Sequence, residues 1–275
     1  MHRRDVRPAL RPFVASVWAT DGGDGDAGAR GVARELSLPT GAMHVAIRLD
    51  APLRVHADLD DRIGREVGLA VVGGARTRPY VRDISRPVTS VGAMLRPGAA
   101  RLLFGVPAGE LADRHTRLDD LWGAGGVEIA RERIARAATP AARLDAFEDE
   151  LAARLPRVRG VHPAVAHALA QLDASAEIRA IVDETGYSHR RFIALFRDEV
   201  GLAPKQYARV RRLQRALALL SQTPRDLARI ALAAGYADQS HWNREFRALT
   251  ALSPGRYRAL APALINHVPL RDRSI

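Results

Sequence analysis

The sequence predicts a multidomain α+β protein. A β-rich N-terminal domain, barrel- or sandwich-like, is followed by a helical connector and an all-α C-terminal domain of two helix-turn-helix units joined by a long helix. Three observations predict this fold class. Short apolar runs separated by Gly- and Pro-containing turns fill the first 122 residues, apolar residues recur every three to four positions from Val127 onward, and the last third contains an internal repeat.

The domain boundaries follow from the same patterns. We expect a β-rich domain over residues 1–123, a helical connector and linker over 124–160, a tandem helix-turn-helix domain over 161–260, and a C-terminal tail over 261–275. A chain of 275 residues is long enough for two domains that each bury a core.

The N-terminal part reads as short strands. Its apolar runs at residues 13–14, 45–47, 69–72 and 102–104 lie between turn signals such as Pro39-Thr40-Gly41 and Arg96-Pro97-Gly98. In the connector, Pro140 is expected to separate two helices. The second of these carries apolar side chains along one face at Leu144, Phe147, Leu151 and Leu155. Everything after Pro163 is expected to be helical.

The internal repeat lies in the helical part. The first copy contains Gly186-Tyr187-Ser188, Phe192, Phe196-Arg197, Leu202-Ala203-Pro204 and Tyr207, and the second contains Gly235-Tyr236, Trp242, Phe246-Arg247, Leu252-Ser253-Pro254 and Tyr257. Gly and Tyr recur at an offset of 49, and the later positions at 50, so the turn of the second copy holds one inserted residue. One small structural unit is therefore present twice.

Each copy is predicted to be helix, tight turn, helix. Gly186 and Gly235 suit the left-handed turn, and Ser188 and Asp238 can cap the helix that follows. A helix-turn-helix places its second helix in the major groove of DNA. The long helix expected over Pro204–Gln222 would measure about 27 Å. That length is near the ~34 Å between successive major grooves on one face of DNA.

The outward faces of the second helices carry side chains that can read bases or bind phosphate. The predicted DNA-binding residues are Arg190, Arg191, Ile193 and Arg197 in the first copy, and Gln239, Ser240, His241, Asn243, Arg244 and Arg247 in the second. For any one of them a solvated polar face is an equally good interpretation. Charge favours DNA: residues 1–155 hold 23 basic and 21 acidic residues, whereas residues 156–275 hold 19 and 10.

The repeat also carries a family resemblance. The string Gly235-Tyr236-Ala237-Asp238-Gln239-Ser240-His241-Trp242-Asn243-Arg244-Glu245-Phe246-Arg247, followed by Ser253-Pro254 and Tyr257, is close to a signature of the AraC/XylS family of bacterial transcriptional regulators. Residues 164–257 resemble that family's DNA-binding domain. The resemblance implies groove contacts at Ser240, His241, Asn243 and Arg244, and in the first copy at Arg190, Ile193 and Ala194.

Three positions depart from the family pattern. Ala194 stands where a basic residue often reads a base, Ala251 where Gly is usual, and Val182 where a small Ala normally packs between the helices. The first copy is therefore expected to read sequence less closely than the second.

The N-terminal half resembles the β-rich, sensor-like domain that precedes this DNA-binding domain in many regulators. The matching stretches are Pro12-Phe13-Val14, Trp18, Pro39-Thr40-Gly41, His44, Gly92, Arg96-Pro97-Gly98-Ala99 and Leu118-Asp119-Asp120-Leu121-Trp122-Gly123. This resemblance implies no particular ligand.

Catalysis finds no support in the residues. There are no cysteines, the histidines lack metal-ligand spacing, and no Gly-x-Ser-x-Gly or phosphate-loop motif is present. We therefore expect no enzyme, no cofactor and no metal. His44, on a predicted strand, is expected to be an ordinary interior or surface residue. The absence of a long apolar run and of a signal-peptide pattern predicts a cytoplasmic protein, associated with the nucleoid when bound to DNA.

The sequence thus predicts a sequence-specific DNA-binding transcriptional regulator. Its recognition helices, about residues 188–199 and 239–249, would enter successive major grooves of double-stranded promoter DNA. The N-terminal domain would modulate activity by binding a small-molecule effector or by homodimerisation, and RNA polymerase is a further candidate partner. The alternative is a constitutive regulator whose N-terminal domain binds proteins and no small molecule.

Overall fold

The computed structural model describes residues 1–22, 33–155, 160–173, 177–222 and 226–270. Part of the expected linker, residues 156–159, and the last five residues of the expected tail lie outside that set. Two antiparallel sheets form the N-terminal domain, and helices form the rest, apart from one late strand. The predicted α+β class is confirmed.

The first sheet has six strands in the order β1-β2-β9-β4-β7-β10. Their bounds are β1 His2–Arg4, β2 Val14–Thr20, β4 Met43–Arg48, β7 Ala70–Gly73, β9 Ser90–Leu95 and β10 His115–Arg117. The second sheet has the order β11-β3-β8-β5-β6, with β3 Arg34–Ser37, β5 Leu53–His56, β6 Arg65–Gly68, β8 Tyr80–Asp83 and β11 His267–Leu270.

Alternation along the strands decides which side of the first sheet is covered. In β4, Val45 and Ile47 are fully buried, whereas His44 and Arg48 on the other face are only partly buried. The buried face packs against the connector helices, whose Phe147 and other apolar side chains are fully buried. The opposite face looks toward the second sheet.

The connector helices follow the sheets. The chain forms α1 Ala99–Phe104, α2 Asp119–Trp122, α3 Ala124–Arg136 and α4 Pro140–Arg154. Pro140 occupies the first turn of α4, where its missing N–H is not needed, and Thr139 caps that helix. The expected division of the connector at Pro140 is therefore confirmed.

The C-terminal helices are α5 Pro163–Asp173, α6 Ile178–Thr185, α7 His189–Val200, α8 Pro204–Gln222, α9 Leu227–Ala233, α10 Gln239–Thr250 and α11 Pro254–Leu260. The long connecting helix α8 has the bounds predicted from its apolar spacing. No helix in the described part of the chain has both the length and the apolar composition of a membrane span.

The expectation that everything after Pro163 is helical is wrong at β11. This strand runs antiparallel to β3, with Val268 opposite Leu36 and Pro269 opposite Glu35. Val268 and Leu270 are buried. β11 is an edge strand, where a proline without an N–H is tolerated. A four-residue strand that pairs with residues more than 200 positions earlier leaves little local signal, so sequence reasoning missed it.

Candidate nucleic-acid interface

The first repeat copy folds as helix, turn, helix. Helix α6 ends at Gly186, whose φ of +71° lies in the left-handed region. The Ser188 hydroxyl then accepts a hydrogen bond from the Arg191 N–H, which satisfies a free donor at the start of α7. Phe192 and Phe196 are fully buried and hold α7 to the domain core. Cap and turn stand where the sequence predicts them.

The second copy repeats this construction. Gly235, at φ +89°, follows α9, and the Asp238 carboxylate accepts a 2.7 Å hydrogen bond from the His241 N–H at the start of α10. Trp242 and Phe246 are fully buried, and their rings meet edge to face at 5.8 Å between centroids. The same combination of turn glycine, helix cap and buried aromatic side chains therefore positions both second helices.

The predicted contact residues lie off these buried stripes. The exposed ones are Arg190, Arg191, Arg197, Ser240, Arg244 and Arg247, and the partly buried ones are Ile193, Gln239, His241 and Asn243. Two of the ten already contact a neighbouring aromatic ring. The Arg191 guanidinium lies 5.0 Å from the centre of the Tyr187 ring, and the His241 ring meets Tyr236 edge to face at 5.6 Å. Both contacts restrict these side chains at the start of their helices.

The far end of α7 contacts the N-terminal domain. The Gly98 N–H donates a 2.9 Å hydrogen bond to the Glu199 carbonyl, and Arg101 lies 3.6 Å from the Asp198 carboxylate. A Cβ placed on Gly109 would come within 3.1 Å of Arg197 Cγ, so the stem of Arg197 lies against that backbone. Arg197 thus stands at the junction of the two domains while its side chain stays exposed.

Helix α10 is anchored to the connecting helix by an ion pair that the sequence reasoning did not single out. The Glu245 carboxylate accepts a 2.7 Å hydrogen bond from Arg209 Nε and lies 3.7 Å from Arg212 Nη2. Its side chain is only 14% exposed. Arg212 also lies over the Tyr236 ring, 5.4 Å from its centre. The available signal was Glu245 itself, an acidic residue within a helix that otherwise carries Arg244 and Arg247.

The exposed surface of α7 and α10 is strongly basic. The exposed side chains of α7 and α10 include five arginines, in the half of the chain that carries most of the net charge of +11. Guanidinium groups bind phosphate oxygens and guanine edges bidentately, and Asn243 has the amide that pairs with adenine. The described residues contain no cluster of three or more potential metal ligands.

Comparison with known proteins gives matches in both halves. Residues 181–260 match a helix-turn-helix domain family, and residues 3–117 match a domain of unknown function (DUF6597). The HTH-type transcriptional regulator MtrA of Neisseria gonorrhoeae is 31% identical over 81 residues, 30% of this chain and 27% of that protein. The arabinose operon regulatory protein of Escherichia coli is 27% identical over 99 residues, 36% of this chain and 34% of that protein.

A solved structure of an AraC-type transcriptional regulator from Chromobacterium violaceum is 28% identical and has a TM-score of 0.34. The matched region covers 37% of this chain and 94% of that structure. The matched segments span about a quarter to a third of the length of the curated relatives. The C-terminal part of the chain, with the signature string on α10, is thus a helix-turn-helix domain of the type found in AraC-type transcriptional regulators.

Proposed function

We propose that the chain is a sequence-specific DNA-binding regulator that inserts α7 and α10 into successive major grooves. One observation carries this proposal: two copies of a single helix-turn-helix unit, rigidly capped, present exposed polar and basic second helices. The connecting helix α8, about 27 Å long by its 1.5 Å rise per residue, supports a spacing of one DNA turn.

Within this proposal the ten predicted residues divide by role. Arg244 and Asn243, near the middle of α10, read base edges together with Ser240 and His241 at its start. Phosphates are bound by Arg190, Arg191, Arg197 and Arg247. Gln239, at the N-terminus of α10, contacts the DNA backbone. Ile193 offers only an apolar contact, as to a thymine methyl group. The N-terminal domain then controls whether this DNA-binding domain is active.

The test begins with selection of bound sequences from random DNA by the full chain, which supplies a binding site. Fluorescence anisotropy on that site should show log K falling linearly with log salt, with a slope of about −0.9 for each phosphate neutralised. Arg244→Ala should weaken the selected site by about 1–3 kcal/mol and leave random DNA almost unaffected. Arg136→Ala is the matched control, because Arg136 is an exposed arginine on α3, outside the helix-turn-helix domain.

Two results would contradict the proposal. Failure of the selection to enrich any sequence would remove sequence-specific binding. A salt-independent affinity would show that phosphate contacts do not contribute. Equal losses for Arg244→Ala on selected and random DNA would instead make Arg244 a phosphate ligand, and would reject its role as a base reader.

A further inference from the structure

Two elements of the N-terminal domain contact the last turn of α7. One is α1, and the other is the single helical turn Ala108–Glu110. The Gly98 N–H, just before α1, donates a 2.9 Å hydrogen bond to the Glu199 carbonyl. A Cβ on Gly109 would come within 3.2 Å of the Arg197 carbonyl oxygen. The two domains therefore meet backbone to backbone at this end of the helix.

The packing at this junction is close. Gly201 follows α7, and a Cβ there would come within 3.1 Å of Ala75 Cβ and 3.3 Å of the Ala108 carbonyl oxygen. Ala75 and Ala108 are fully buried, and Val200 and Leu202 beside the glycine are buried as well. Close-packed interiors deform little. We therefore expect α7 and this edge of the N-terminal domain to move together.

The outward face of α7 continues into the junction. Phe192, Phe196 and Val200 are buried on the inner face of the helix. Ala194 and Asp198 lie on the opposite face, one helical turn apart, and both are exposed. Under the proposed function this face lies against DNA. A carboxylate there repels phosphate unless a cation lies next to it.

Arg101, on the exposed side of α1, supplies that cation. Its Nη2 lies 3.6 Å from Asp198 Oδ2, which is longer than a hydrogen bond, and the two side chains are 55% and 51% exposed. A guanidinium group has five N–H donors, so this loose pair leaves donors for a second anion. The other five residues of α1 are apolar, whereas the Ala108–Glu110 turn exposes the acidic Glu110. The positive charge beside the outward face therefore lies on the α1 side.

The dimensions of DNA decide what Arg101 meets. A helix with its side chains is about 10–12 Å across, and the major groove is about 12 Å wide. A helix in the groove therefore fills it, and groups that flank its outward face lie beside the sugar–phosphate strands. Arg101 is such a group, and guanidinium matches the geometry of phosphate.

We propose that Arg101 binds a phosphate at the edge of the groove that α7 occupies, so that the N-terminal domain is itself part of the DNA interface. The inference rests on the proposed function and adds to it a contact from outside the helix-turn-helix domain. This contact fixes position and carries no base information, because every nucleotide has the same phosphate. Asp198 competes with the phosphate for the guanidinium and limits the strength of the contact.

Fluorescence anisotropy of the full chain tests the contact, on the selected site and on random DNA. Arg101→Gln should weaken binding to both by the same factor, about five- to tenfold at 0.1 M salt, and should reduce the salt slope by about 0.9. Arg136→Gln is the matched control. Arg136 is also an exposed arginine paired with an exposed carboxylate, but it lies on α3 away from the junction. Both variants should keep the thermal midpoint of the unaltered chain, because exposed ion pairs contribute little to stability.

Asp198→Asn separates a phosphate contact from a structural role of the ion pair. If Arg101 binds phosphate, loss of the competing carboxylate should raise DNA affinity by about twofold or more. If Arg101 only holds α7 in place through Asp198, the same substitution should lower the affinity. Arg101→Gln should still weaken binding in the Asp198→Asn background, by at least the factor that it has in the unaltered chain.

A proximity measurement gives a readout other than affinity. The chain has no cysteine, so Arg101→Cys provides a single thiol for attachment of an iron–EDTA chelate. Hydroxyl radicals released there should cut the bound DNA at the end of the site that α7 contacts. The same chelate attached through Arg136→Cys should leave the site uncut.

Each alternative outcome rejects a specific statement. With DNA binding intact, an unchanged affinity of Arg101→Gln, a lowered affinity of Asp198→Asn, or no cutting from position 101 would overturn the proposal and leave the proposed function standing. A higher affinity of Arg101→Gln would also overturn it, because the junction would then oppose DNA binding. No DNA binding by the unaltered chain would refute the proposed function and this contact with it.

Discussion

Gly201 and Ala251 end α7 and α10, the second helices of the two repeat copies, in the same left-handed conformation, with φ of +93° and +61°. The N–H of each donates to the carbonyl four residues earlier, Gly201 to Arg197 at 2.9 Å and Ala251 to Arg247 at 2.8 Å. The two copies thus share the cap geometry, although the second has Ala251 where the first has the glycine that suits it. Ala251, which stands where the family usually has Gly, therefore carries the strain of a left-handed backbone conformation.

Ala251→Gly should stabilise the chain. Relief of the left-handed strain favours the folded state by about 1–2 kcal/mol, and the greater freedom of unfolded glycine offsets about half of it, so a net gain of about 0.5–1 kcal/mol is expected. Urea denaturation followed by tryptophan fluorescence, to which the buried Trp242 of the same unit contributes, measures the change. A midpoint that falls would show that the cap is not strained.

Gly201→Ala is the matched reverse substitution. At φ +93° the new Cβ would also come within 3.1 Å of Ala75 Cβ and 3.3 Å of the Ala108 carbonyl oxygen. We expect a loss of about 2 kcal/mol or more, because strain and crowding add. A neutral result in the same urea experiment would mean that the junction between α7 and the N-terminal domain yields easily.

The C-terminal domain was predictable because its signals are local. Ser188 and Asp238 cap the helices that follow them, and α8 begins and ends where its apolar spacing does. Each of these features depends on residues within one or two helical turns. Side-chain capping and 3.6-residue periodicity are therefore readable without knowing the tertiary fold.

The arrangement of side chains between the two sheets of the N-terminal domain was not predictable, because it depends on contacts between residues distant in sequence. Trp18 lies over Gly92, and Glu35 joins Arg82 to His267, only after strands distant in sequence have paired. In the sequence, His44 looked like an ordinary strand residue. The position of the His44 ring over Gly73 depends on the register between β4 and β7. Alternation of apolar and polar residues alone does not fix the register of strands that are distant in sequence.

Glu245→Gln should loosen α10 from the connecting helix. The change keeps the shape but removes the charge that Arg209 and Arg212 share, and we expect a loss of about 1–2 kcal/mol because the arginines remain partly exposed. A double-mutant cycle with Arg209→Gln should give a coupling of about 1 kcal/mol. Glu128→Gln, which breaks an exposed pair with Arg131, is the control and should change stability by less than about 0.5 kcal/mol. Additive effects of Glu245→Gln and Arg209→Gln would contradict the anchoring role.

Stability should fall as the pH drops below 6.5. Burial, followed by Arg76, lowers the pKa of His115 to about 2, and burial lowers that of His44 to about 3, so both stay neutral in the folded chain while the unfolded chain takes up protons near pH 6.5. Each histidine should contribute a slope of up to about 1.4 kcal/mol per pH unit. Below pH 4.5 Glu35 adds to the loss, because Arg82 and His267 outweigh its burial and hold its pKa at about 2.

Urea midpoints between pH 7.5 and pH 5 measure this slope, and His115→Asn provides the comparison. Removing one imidazole should reduce the slope by about one proton's share, or about 1.4 kcal/mol per pH unit at most. A slope that is identical in the variant would place the acid sensitivity elsewhere in the chain.

The two recognition helices should read DNA unequally. Helix α10 offers Ser240, Asn243 and Arg244 at its outward face, whereas α7 offers Ile193 and Ala194 at corresponding places. Base-pair substitutions across the selected site should therefore cost about 1–3 kcal/mol each in the half contacted by α10, and clearly less in the other half. Anisotropy titrations on a set of singly substituted duplexes measure this profile.

Two variants test the assignment of this profile to the two helices. Arg190→Ala should lower the affinity for all duplexes alike, as expected for a phosphate contact. Asn243→Ala should flatten the profile only in the half of the site that α10 contacts. Equal sensitivity of the two halves of the DNA site would show that Ala194 does not weaken base recognition by α7.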